Sequence, residues 1–217
     1  MGIYAEAIIL YIVLFLSGSA AQFTGGSAVT DSFSSSREIA KILLYLIPSL
    51  ALIWYLLIKS WKLEFWAIRP GKKDFTACIA ALPVLLFAGL AFSLVSSKTS
   101  GVNSQSALFT PNNSAEWIIL CINCILMAYL EESYFRFYLL SRRQELNLSP
   151  TSALVLSVSL FSLCHIYEGP WGFLNAVVSG TFLAFIFLRY NSLHGIAIAH
   201  ALYNIIVYVI NTLSIKV

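Results

Sequence analysis

Charge is what this sequence has least of. Asp, Glu, Lys and Arg make up 11% of its 217 residues and 59% are hydrophobic, where soluble domains carry about 25% charged residues. That balance excludes a soluble globular domain, and a mean hydropathy of +0.82 places the chain in the membrane class. No loop holds a dense basic patch interleaved with aromatics, which excludes nucleic acid as a partner. The cysteines Cys78, Cys121, Cys124 and Cys164 all lie in apolar stretches, which excludes a disulfide framework. Cys121 and Cys124 share a helix face and read as small packing residues, not as half of a metal knuckle. There is no HExxH and no internal repeat.

What is present is hydrocarbon in helix-length runs. At about 20 residues per span, the chain has room for an all-α, polytopic transmembrane helix bundle of about seven spans and none for a soluble domain. Residues 3–21 read as a first transmembrane helix. A cleaved signal is the weaker reading there, because the small residues at 17–21 lack a basic region before them. Residues 22–37 are rich in Gly, Ser and Thr and read as a loop. The second span is 42–58, with Pro48 as a kink. Residues 59–74 alternate Trp61, Leu63, Phe65 and Trp66 with charges, as an interfacial segment does. Span three is 75–95, and a polar loop covers 96–116. Span four starts at Trp117, and a basic turn at 141–149 closes with Pro150, tolerated at a helix start. Spans five, six and seven are 151–167, 171–188 and 193–213, with Glu168-Gly169-Pro170 as a hairpin between five and six.

Counting Lys and Arg orients the bundle. One set of loops holds Lys59, Lys62, Arg69, Lys72, Lys73, Arg142, Arg143 and Arg189; the other holds Arg37, Lys41, Lys98 and Lys216. The excess puts loops 59–74 and 141–149 in the cytoplasm, and the N-terminus with them.

Against this background, Glu131, Glu132 and Arg136 stand out inside span four. An ionisable residue at membrane depth costs about 2.5–3.5 kcal/mol on insertion scales, so its default reading is functional. Adjacent positions point about 100° apart on a helix. Glu132 and Arg136, at i, i+4, can therefore neutralise each other, which leaves Glu131 to project into the bundle. A carboxylate in apolar surroundings suits a general base near neutrality. His165 ends Phe161-Ser162-Leu163-Cys164-His165, His200 and Asn204 share a face of span seven at i, i+4, and Asn175 lies early in span six. His194 reads as interfacial. Each His or Asn alone is an interhelical hydrogen-bond partner. Together with Glu131, on three helices, His165, His200 and Asn204 form a set able to activate water and hold an oxyanion. Depth raises a conflict. Counted from the basic turns, Glu131 and His200 lie about 15 and 14 Å deep, but His165 about 24 Å, at 1.5 Å per residue.

These residues spell EExxxR (Glu131, Glu132, Arg136), FxxxH (Phe161, His165) and HxxxN (His200, Asn204), in that order over about 75 residues. The pattern resembles the CAAX protease and bacteriocin-processing family, glutamate-type intramembrane proteases that include the type 2 CAAX prenyl endopeptidase. Family members often have Gly after the motif arginine, where this chain has Phe137. The resemblance implies a single membrane-embedded protease domain over 1–217, with its motif core at about 117–213. In it Glu131 and His165 activate water, His200 and Asn204 stabilise the oxyanion, and Glu132 and Arg136 support them. It implies membrane lipids as surroundings, no cofactor, and as substrate a protein or peptide tail, lipidated or not. Candidates are a prenylated CAAX tail, a double-glycine or bacteriocin precursor, and a C-terminal membrane-anchor sorting signal. Two rival readings stand beside it. One is a zinc protease with Glu131, His165 and His200 as ligands. The other is a non-catalytic membrane immunity or assembly protein whose polar cluster is interhelical glue.

Overall fold

The computed structural model describes residues 3–16, 33–61, 69–100 and 110–215. Among them there are helices and no strand. Helix α1 is Ile3–Tyr11, prolonged by a π-helical turn Ile12–Leu16. Helix α2 runs through Ser35–Lys41, a π-helical turn Ile42–Leu46 and Ile47–Trp61. Then come α3, Lys72–Ser100, and α4, Ser114–Glu132, which continues through a π-helical turn Ser133–Tyr138 to Leu139–Ser141. The last three are α5, Pro150–Leu163, α6, Gly169–Tyr190, and α7, Leu193–Ile215. The expectations for 17–32, 62–68, 101–109 and 216–217, including the small residues after α1 and most of the interfacial Trp segment, lie outside the described residues.

The expected count of seven spans is not matched by length. Among the described residues, five helices are long and apolar enough to cross a membrane, and the apolar helices Tyr4–Leu16 and Pro150–Leu163 are shorter. At 1.5 Å per residue the 14 residues of α5 reach about 21 Å, short of a hydrocarbon core of about 30 Å. The chain is an integral membrane helix bundle in either case.

Local chemistry sets the helix ends. Ser34 caps α2 seven residues ahead of the apolar run, so the helix claims residues that read as loop. At α4, Asn113 accepts from the Glu116 amide at 3.0 Å, and the Glu116 carboxylate reaches back to the Asn112 amide at 2.7 Å. Ser149 accepts from the Ser152 amide at 3.1 Å, and Pro150 opens α5 where no N–H is needed. Helix α5 ends at Leu163, short of the expected Tyr167. A turn follows at Cys164 and His165, and then a 3-10 turn Ile166–Glu168 leads to Gly169, whose φ of 81° suits glycine. Pro48 is the second residue of the α-helical stretch that follows the π-helical turn of α2.

Two large cores fill the bundle, beside a small cluster of Phe33, Leu120 and Cys124. One joins α1, α2, α4 and α5 through Leu14, Leu46, Ile53, Leu130, Phe135 and Phe161. The other joins α3 to α6 and α7 through Leu85, Leu183, Phe187 and Ile196. Tyrosines and serines lock helices to one another's backbones: Tyr134 donates to the Ala7 carbonyl at 2.7 Å and Ser157 to that of Phe135 at 2.7 Å. Glu6 of α1 accepts from Tyr138 at 2.5 Å and Arg142 at 2.8 Å. Outward faces carry Leu44, Phe87 and Phe75, 78%, 75% and 71% exposed, as acyl chains require.

Helix α7 starts against α3. Ser192 donates to the Asp74 carboxylate and accepts from the Gly195 amide, the latter at 3.1 Å. A Cβ on Gly195 would lie 2.4 Å from the Asp74 carbonyl oxygen and 2.7 Å from the Ala77 Cβ. Backbone cannot yield as a flexible side chain can. Gly195→Ala is therefore expected to destabilise the protein by about 1–3 kcal/mol, read as a lowered Tm in detergent, whereas Gly71→Ala, with open space around it, leaves Tm unchanged.

Candidate active site

The site is built on α4 where it changes from α- to π-helical geometry. Glu131 and Glu132 close the α-helical stretch and Arg136 lies within the π-helical turn. Such turns insert an extra residue and re-aim side chains, and they recur at functional sites. All three side chains are buried.

Arg136 is held on every side. Its Nη1 donates to Glu132 Oε1 at 3.1 Å and its Nη2 to the Gly180 carbonyl of α6 at 3.1 Å. The guanidinium carbon lies 4.3 Å from the centre of the Phe161 ring, a cation–π contact from α5. Gly180 permits this approach, since a Cβ there would lie 2.8 Å from the Phe161 ring and 3.4 Å from Arg136 Nη2. The intrahelical ion pair expected from spacing is thus present, with both side chains fully buried.

Glu132 does more than its spacing indicated. Its Oε1 also meets His200 Nδ1 of α7 at 2.9 Å. A carboxylate accepts, so Nδ1 carries the proton and the ring is fixed in one orientation. That orientation turns Nε2 toward Glu131 Oε2, 3.6 Å away. This is longer than a direct hydrogen bond and within reach of a bridging water. His200 therefore stands between the two adjacent glutamates, and Arg136 offsets the charge behind it. Glu132 Oε2, Ser133 Oγ and Arg136 Nε are buried polar atoms with no hydrogen-bond partner among the described residues.

His165 is half-buried on the turn after α5. Its Nδ1 meets the Phe161 carbonyl at 2.9 Å. A carbonyl can only accept, so Nδ1 is the protonated nitrogen and Nε2 keeps its lone pair. The Phe161 ring lies 4.7 Å from His165 and 6.0 Å from His200, centre to centre, and so stands between the two imidazoles. Glu131 is near enough to Cys164 and Tyr167, flanking His165, and to Tyr45 of α2 to interact with them electrostatically.

The depth conflict shrinks on these contacts. Ser157 is level with Phe135, so antiparallel counting sets Phe161 opposite Glu131 and His165 about 6 Å beyond it, at 1.5 Å per residue. The His165 side chain then folds back toward Phe161. The helix ends do not lie in one plane.

Asn204 is half-buried one turn after His200 and makes no side-chain hydrogen bond to the described residues. Its neighbour Tyr203 receives the Asn175 amide at 3.2 Å, and Ser179 donates to Asn175 at 3.4 Å, which accounts for the polar residue in span six. His194 lies at the basic end, 3.0 Å from the Tyr129 hydroxyl, apart from the site. Among the described residues no three His, Cys, Asp or Glu side chains are gathered as a metal site. Phe161 and Gly180 were not singled out by the sequence as parts of this network; FxxxH marks the former, and nothing in local spacing marks the latter.

Residues 113–206 match the family model described as Type II CAAX prenyl endopeptidase Rce1-like. Over that segment, the chain is similar to the CAAX protease and bacteriocin-processing family. The match contains all three motifs and ends two residues after Asn204. No curated protein and no solved structure matches the chain.

Phe161 touches Arg136 and both histidines, so its removal is felt twice. Phe161→Ala is expected to cost about 3–5 kcal/mol, read as a large fall in Tm in detergent. Leu163→Ala, at a lipid-facing position 45% exposed, is expected to shift Tm little.

Proposed function

We propose that this protein is an intramembrane endopeptidase of glutamate type, hydrolysing a peptide bond in a membrane-associated or lipidated tail. The observation that carries the reading is the Glu132–His200–Glu131 arrangement: an imidazole oriented by one glutamate and facing a second across 3.6 Å. A purely structural clamp needs the Arg136–Glu132 pair and gains nothing from the second carboxylate. The match of residues 113–206 to a prenyl endopeptidase family model supports the same reading.

In this reading Glu131 and His165 activate the water. As the water oxygen bonds to the substrate carbonyl carbon, Glu131 takes its proton and the carbonyl π pair moves onto oxygen. The oxyanion is held by N–H groups of His200 Nε2 and Asn204 Nδ2, with Glu132 stabilising the charged form of the His200 ring. Collapse reforms the carbonyl and breaks the C–N bond. The leaving amine receives the proton from Glu131, with His165 Nε2 as the second proton acceptor near the site. Glu132 and Arg136 position the rest. No metal enters these steps.

The basic end of the bundle, with the N-terminus, faces the cytoplasm in this proposal, by the positive-inside rule. Helices α4, α5 and α7 bound the site. The substrate is recognised by its lipid or helical part.

The test uses protein in proteoliposomes with three tails: a farnesylated CAAX peptide, a membrane-anchor sorting peptide and a double-glycine precursor. Wild type is expected to cleave one class. Glu131→Gln, His165→Ala and His200→Ala are each expected to lower the rate by at least 10²-fold while accumulating normally in membranes. Cleavage retained by Glu131→Gln, or no cleavage of any class, contradicts the proposal and favours interhelical glue. Exhaustive chelation is expected to leave the rate unchanged; a loss restored by zinc favours the zinc protease.

A further inference from the structure

At the basic end of the bundle, away from the glutamates, a cleft of about 280 Å³ opens between the turn after α4 and the turn joining α6 to α7. Its floor is hydrocarbon, with Leu140 and Phe187 buried beneath it. Its rim is polar, with Arg143, Gln144 and Asn191. Leu188, 52% exposed, lines the side toward the membrane, and Phe185 continues that face of α6 at 63% exposure. Polar and apolar side chains thus meet in one cleft.

Arg143 is the unusual member. It is half-buried, yet its guanidinium has no ion pair or hydrogen bond among the described residues. The adjacent Arg142 takes both nearby carboxylates, Glu6 at 2.8 Å and Glu145 at 3.0 Å. A second cation stands at the rim, where Lys73 donates to the Asn191 carbonyl at 2.9 Å. A half-buried cation without a counter-ion calls for an anion. The helix ends at Ser141 and Tyr190 put it at headgroup depth, where the abundant anions are lipid phosphates.

We propose that this cleft binds one anionic glycerophospholipid, its phosphodiester on Arg143 with Lys73 nearby and its first acyl carbons over Leu188 and Phe185. A soluble phosphate matches the guanidinium alone. Leu140 and Phe187 in its floor and the exposed α6 face beside it favour the lipid. The site is independent of the proteolysis reading, since none of its residues belongs to the glutamate–histidine network.

The experiment is native mass spectrometry of the full-length protein in detergent, titrated with phosphatidylglycerol, phosphatidylcholine or glycerol phosphate. Wild type is expected to retain one phosphatidylglycerol, in preference to phosphatidylcholine, and no glycerol phosphate. Arg143→Gln is expected to weaken that binding about five-fold or more, the effect of one basic residue near a lipid surface. Leu188→Glu, which places a carboxylate at the mouth, is expected to weaken it as well. Lys59→Gln, at the same end but outside the cleft, is expected to bind as wild type. Equal retention by Arg143→Gln, equal binding of phosphatidylcholine, or glycerol phosphate binding as tightly as the lipid each overturns the proposal. If Arg143→Gln does not fold, the Leu188→Glu comparison decides.

Discussion

Everything in the motif half of this bundle depends on the neutralisation of a buried guanidinium. Arg136 is fully buried, in a chain whose surroundings at that depth are acyl chains or packed hydrocarbon. An unpaired charge there is among the most expensive groups a protein can hold. The structure offsets it through a carboxylate on the same helix, a carbonyl on α6 and an aromatic face on α5. One cation thereby fixes the relative positions of three helices. The carboxylate it recruits is the one that orients His200 of a fourth. Site and fold are coupled at Glu132, which serves both.

That coupling explains a division between neighbours. Two consecutive glutamates cannot both meet the same partner, since their side chains diverge by about 100°. Glu132 is committed to Arg136 and the near nitrogen of His200, and Glu131 is left facing the far nitrogen. A carboxylate with a structural duty cannot also shuttle protons freely. Its neighbour, relieved of that duty, can. The π-helical turn that follows lets the backbone re-aim Arg136 without moving the glutamates.

How much of this was legible depended on the range of the interaction. The Glu132–Arg136 pair is an i, i+4 relation and could be written down from spacing alone. So could the helical character of each apolar run, because length and hydropathy dictate it. Helix ends were read less well: Ser34 capping starts α2 before its apolar residues do, and α5 stops at Leu163 although apolar residues continue to Tyr167. The Glu132–His200 contact crosses 68 positions, and no local pattern encodes it. Nor did spacing indicate that Arg136 would seek the Gly180 carbonyl. The depth of His165 was misjudged because helices of unequal length do not start in one plane; the Ser157 hydroxyl on the Phe135 carbonyl sets that register instead.

The central claim is that Arg136 and Glu132 act as a unit, each present because the other is buried. The most direct test is a double-mutant cycle on thermal stability with Glu132→Gln, Arg136→Met and the double variant. Removing one partner leaves a buried charge, or a hole in a charged network, and removing both leaves neither. The account predicts that each single variant melts well below wild type and that the double variant melts at or above the Arg136→Met single. Tm losses that simply add in the double variant would contradict it.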